Sequence, residues 1–208
     1  MLIQGQIQNA VPSSRSTGNP NAMQAPLGEL AVTSLMPPYS FMAQSGRVFS
    51  ATATVTAPVI YTTAAGTGGP LLWNRPNSGV NLHLLAVGFG VTTVSTVAAA
   101  LGITGNVGQA VAPTTTTAID ASGSTLIGGS VSSANAYRVG TPSNAGNFFI
   151  PFSHLHTGAL TVDNTGVQWI ELNGIVVCPP SAWVSVAASA TATTAVLQMS
   201  LIWAELAV

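Results

Sequence analysis

Over residues 195–206, large apolar side chains recur at every second position. Leu197, Met199, Leu201 and Trp203 share one face, and Gln198 and Ser200 point away. Residues 183–188 alternate in the same way, with Val184, Val186 and Ala188 against Ser185. Gly174-Ile175-Val176-Val177-Cys178 is a short unbroken apolar run stopped by Pro179-Pro180-Ser181, the pattern of a strand buried on both faces. The closing block, 167–206, therefore reads as strand, turn, strand, loop, strand, and its period is two rather than 3.6.

The same period recurs upstream. Over 47–59, Val48, Ser50, Thr52 and Thr54 alternate with Phe49, Ala51, Ala53 and Val55. Leu71-Leu72-Trp73 ends a strand, and Arg75-Pro76-Asn77-Ser78-Gly79 has turn chemistry: proline fixes φ and glycine accepts positive φ. The next strand places Val80, Leu82, Leu84 and Ala86 on a core face, opposite Asn81 and His83. Residues 84–103 carry no charge and reach the ~20-residue length of a membrane helix. Gly88, Gly90, Gly102 and a Thr/Ser patch inside that window predict two strands and a turn instead. Phe148-Phe149-Ile150-Pro151-Phe152 opens an apolar segment running through His154 and His156 to Val162, and Asp163-Asn164-Thr165-Gly166 turns into the closing block.

Residues 27–36 fit a short helix or strand. Residues 1–26, rich in Asn, Gln, Ser and Pro without a period, predict an extended N-terminal arm ordered only against a neighbour. The remainder, 27–208, predicts one domain, with a Thr/Ser/Gly/Ala-rich insertion near 105–135 read as a long exposed loop or a projecting hairpin. About eight to ten short strands separated by turns, with almost no helix, argue for an all-β fold. The expected form is an antiparallel β-sandwich of the jelly-roll kind.

Composition changes what such a sandwich can be for. Of 208 residues only 4% are charged, against about 25% in an ordinary soluble domain, while 47% are hydrophobic, which excludes a disordered chain. Lysine is absent; the charges are four arginines and five acids, with a net charge of −1. A basic face able to neutralise phosphates is missing, so nucleic acid is not an expected partner. The start Met1-Leu2-Ile3-Gln4-Gly5 lacks the basic and long apolar regions of a signal peptide, and no membrane association is expected. A surface of Thr, Ser, Asn, Gln and Gly sheds water at low cost, which suits packing against copies of itself or a large assembly.

Candidate chemistry is sparse. His154 and His156 stand at i and i+2, so on a strand both imidazoles reach the same side and could hold a metal with Asp163 or His83. The plainer account has two histidines at the wet end of a strand, bonded to carbonyls or water, and no metal or other cofactor is expected. The lone Cys178, among apolar neighbours, reads as a buried thiol. None of the five acids forms a paired-carboxylate motif, and neither a Gly-x-Ser-x-Gly elbow nor a phosphate-cradling glycine loop occurs, so catalysis is not expected. Trp73, Trp169, Trp183 and Trp203 read as core or interface anchors; the alternative is an aromatic platform for sugars. Arg75 has three candidate partners, namely stacking on Trp73 or pairing with Glu171 or Glu205.

Three passages together resemble a group of tailed-bacteriophage virion proteins with jelly-roll domains. The first is Gly28-Glu29-Leu30-Ala31-Val32-Thr33 leading to Gly46-Arg47-Val48-Phe49-Ser50-Ala51. The second is Leu72-Trp73-Asn74 with Pro76, Ser78-Gly79 and Asn81-Leu82. The third is Val176-Val177-Cys178-Pro179-Pro180 with Leu201-Ile202-Trp203-Ala204-Glu205. Each is short, and their order and spacing carry the likeness over about half of the chain; the middle, 91–135, has no counterpart. The resemblance implies a structural role on the virion exterior as a capsid decoration or cement protein, head fibre or tail knob. It implies a homotrimer with the major capsid or another virion protein as partner, and no catalytic residues. A receptor-binding adhesin or tail-fibre head recognising host glycans is the alternative.

Overall fold

The structure, a computed structural model, describes residues 23–24, 30–31, 39–58, 60–62, 67–155, 157, 167–190 and 194–208. Most of the expected arm therefore lies outside the described residues, as do His156, Asp163 and the turn at 163–166. The chain divides into two compact units, Met1–Phe41 and Met42–Val208. In the first, β1 (Met23–Gln24) pairs antiparallel with β2 (Leu30–Ala31). A single helical turn, α1 (Ser40–Gln44), spans the boundary.

The second unit is an antiparallel β-sandwich; strand accounts for 60% of the described residues and helix for 3%. One sheet runs β10 (Phe148–Leu155), β6 (Ala99–Val107), β13 (Ala182–Ala188), β4 (Thr67–Asn74), β9 (Ala134–Thr141), β7 (Thr114–Ala118). The other runs β11 (Gln168–Glu171), β5 (Val80–Thr93), β14 (Val196–Ala207), β3 (Val48–Thr56), β8 (Ala121–Ser124), with β12 (Val177–Cys178) also on β5. We call them the β13 sheet and the β14 sheet after their central strands. Strands β3, β4, β5 and β6 alternate between the two sheets, so consecutive strands lie on opposite sides of the core. The uncharged window at 84–103 is strand, loop, strand, with β5 and β6 in opposite sheets, and among the described residues no helix is long and apolar enough to cross a membrane.

The alternations in β3 and β14 face the core as their periods predict. Phe49, Ala51, Ala53 and Val55 meet Leu197, Met199, Leu201 and Trp203 across the antiparallel ladder and pack on Leu72, Leu101, Ile103, Val184 and Val186 of the opposite sheet. Gly79 takes φ +72° in the turn before β5, and Ser78 N–H closes that turn on Arg75 C=O at 3.2 Å.

Strand β5 departs from the simple period. Its register on β14 slips where Ile202 faces Ala86 and Trp203 faces Leu84, leaving Leu85 as an extra residue. Leu85 C=O instead accepts the N–H groups of Leu172 and Asn173. A bulge moves every later side chain to the other face. Leu82 and Leu84 enter the core before it, and Val87 and Phe89 after it, so Ala86 is outside the core cluster it was expected to join. The apolar run at 174–178 is not buried on both faces either. Val176 and Cys178 are buried while Ile175 and Val177 are exposed, because β12 lies at the margin of its sheet. Residues 105–133 form neither one long loop nor one hairpin. They complete β6, add β7 to β9, cross sheets at residues 119–120 and add β8 to β3.

Candidate functional site

The two outer faces of the sandwich differ, and the four tryptophans show how. Trp203 lies in the core between the sheets, 1% exposed, its ring stacked on Phe49 with centroids 6.0 Å apart. Trp73 and Trp183 are cross-strand neighbours on the outer face of the β13 sheet, buried in a second apolar cluster with Leu71 and flanked by Tyr137.

That outer face is covered by two connections. Residues 108–113 pass from β6 to β7, and 142–147 return from β9 to β10, both across β13 and β4. Indole N–H groups anchor them: Trp73 Nε1 donates to Gln109 C=O at 2.9 Å and Trp183 Nε1 to Asn144 Oδ1 at 3.0 Å. Gln109, only 1% exposed, ties the connections together. Its N–H donates to Ser181 C=O, its Nε2 donates to Val111 C=O, and its Oε1 accepts from both the N–H and the hydroxyl of Ser143. Asn106 Nδ2 and Asn144 Nδ2 add bonds to Ala145 C=O and Val107 C=O, each at 2.6 Å. The sequence pattern did not single out Gln109; a glutamine in a polar loop gives no sign that it will be buried.

On the outer face of the β14 sheet Val48, Ala86 and Ala204 are buried, and Trp169 stands at its β11 edge. Trp169 on β11 is 51% exposed there, unlike the other three, so it has no place in the core. Its six-membered ring lies over Gly88 of β5: a Cβ on Gly88 would come within 2.5 Å of Cε3 and Cζ3. Glycine at 88 is thus what lets the indole rest against the sheet backbone. Beside it, Ser200 and Thr52 share a hydroxyl–hydroxyl bond at 2.9 Å.

His154 on β10 and His83 on β5 belong to different sheets and opposite ends of the sandwich, and among the described residues no group of three His, Cys, Asp or Glu side chains could hold a metal. Cys178 is buried, and desolvation pushes its thiol up to about 12 despite a backbone hydrogen bond from Asn74, so it is protonated at neutral pH.

Arg75 and Glu205 do not pair. Both grip Ser133: Arg75 Nε donates to its carbonyl at 2.9 Å, and the Glu205 carboxylate accepts its N–H at 2.8 Å and the Ser132 hydroxyl at 2.5 Å. Glu205 thereby anchors the loop between β8 and β9. Beneath that loop a cleft of about 160 Å³ is bounded by Ser122, Gly123, Val131, Ser132, Ala134 and the edge of Trp203, with no titratable side chain in its wall. Asp120 and Arg138, 3.5 Å apart, form a half-exposed ion pair near the point where the chain changes sheets. Comparison with protein-family models, curated proteins and solved structures finds no match.

Proposed function

We propose that the protein is a non-enzymatic structural component of a tailed-phage particle, a trimeric decoration protein that binds the capsid exterior and reinforces it. The observation that carries this reading is a chain with only nine Arg, Asp and Glu side chains in 208 residues, from which Ile127 and Val131 project 99% and 90% exposed on the loop after β8. Ile175, just before β12, and Val177, on it, project as well. Desolvating such faces costs little, and several weak contacts to neighbouring capsid subunits add through effective concentration. The short motifs at 28–33 and 46–51, within 72–82, and at 176–180 and 201–205, which resemble those of virion proteins, are its other support. Mixing the purified protein with particles stripped of it, and following sedimentation, tests the proposal. Saturable binding of trimers supports it, and a monomer that stays in the supernatant at micromolar concentration refutes it. The adhesin alternative draws on Trp169 alone, because Trp73, Trp183 and Trp203 are buried.

A further inference from the structure

The geometry points to a binding site for a neutral saccharide on the outer face of the β14 sheet, centred on Trp169. The indole is seated on Gly88, so its orientation is fixed by the backbone beneath and half of its surface remains in solvent. A rigid aromatic ring with one open face is what the apolar C–H face of a pyranose stacks on. A hydroxyl shelf lies beside that ring. Cross-strand register runs from Trp169 through Gly88 and Ser200 to Thr52, and the Ser200 Cβ is 3.8 Å from where a Gly88 Cβ would stand. Gln198, exposed one register step along next to Gly90, adds an amide with donors and an acceptor. Sugar hydroxyls need this mixture of neutral donors and acceptors.

Charge narrows the class. Glu171, two residues from Trp169 on β11 and exposed, places a carboxylate beside the platform, which opposes sialic and uronic acids and favours neutral sugars. A protein partner fits this face less well. Specific protein interfaces bury about 800 Å² per partner around an apolar centre. Among the described residues, the exposed large apolar side chains at this end of the sheet are Trp169 and Val167.

The test titrates the full-length protein with maltohexaose, chitotetraose and 3′-sialyllactose while recording tryptophan fluorescence. The other three indoles are buried, so the signal reports Trp169. A saturable change with a neutral oligosaccharide, absent with 3′-sialyllactose, is expected. Followed by isothermal titration calorimetry, because the variant lacks the reporting indole, Trp169→Ala should weaken binding about tenfold or more with the melting temperature unchanged. Gly88→Val, which lifts the ring without removing it, should also weaken binding. No response to either neutral oligosaccharide up to ~20 mM, equal binding by Trp169→Ala or Gly88→Val, or an equal response to 3′-sialyllactose would each overturn the proposal. A native oligomer that dissociates on Trp169→Ala would overturn it too, by showing that a second copy covers the ring. Particle attachment is read separately, so failure here leaves the structural role untouched.

Discussion

Replacing Trp203 tests the packing of the sandwich at its centre. Trp203→Ala removes an indole that is 1% exposed, stacked on Phe49, and carried by the strand at the middle of its sheet. Truncations of this kind cost about 3–5 kcal/mol. At roughly 2–4 °C per kcal/mol for a domain of this size, the melting temperature should fall by about 6–20 °C. Trp203→Phe should behave differently. Among the described residues the Trp203 Nε1 has no hydrogen-bond acceptor, although it is buried. A buried unpartnered donor costs about 1–3 kcal/mol, which offsets the packing lost with the smaller ring and leaves a net change within about 1 kcal/mol. Differential scanning calorimetry on both variants reads the two magnitudes. A melting temperature within about 2 °C of native for Trp203→Ala would refute the placement in the core. Equal losses for the two variants would show that the indole N–H contributes a bond of its own.

Gln109→Ala removes three side-chain hydrogen bonds beneath the crossing connections and should cost about 2–4 kcal/mol, with a red shift of tryptophan emission as Trp73 and Trp183 gain water; unchanged emission would place the cover elsewhere. The Cys178 thiol is raised from 9.0 to about 12, so the unfolded chain loses its proton first and stability should fall as pH climbs from about 9 towards about 12. Cys178→Ala should flatten that slope, and in the native protein at pH 8 the thiol should resist alkylation until denaturant is added; prompt native labelling would contradict its burial. Deleting residues 1–26 should leave the melting transition of the sandwich in place while weakening attachment to the particle, and unchanged attachment would show that the arm is not an anchor.

What the sequence makes legible is local periodicity. The faces of β3 and β14 and the turn at 75–79 can be read from residues that are neighbours in the chain. The rest depends on long-range partners. The phase change in β5 comes from the single extra residue Leu85, and an alternating pattern interrupted by Leu84-Leu85-Ala86 looks like a continuous apolar run. Trp73 and Trp183 are buried on a face that a two-layer sandwich would leave wet, because loops 30 or more residues away in sequence fold over them. Trp169 is exposed where the other three are not, and what seats it is a glycine about 80 positions earlier. The pair His154 and His83 illustrates the converse: residue types suited to one metal are drawn to opposite ends by the register of two different sheets.

If the chain decorates a phage capsid, as proposed, its copy number on purified particles must match the lattice it covers. Quantitative mass spectrometry against the major capsid protein should give on the order of hundreds of copies per particle, as multivalent coverage of a capsid lattice requires. Tens of copies would instead indicate a tail-borne adhesin, and absence from the particle would rule out a decoration role.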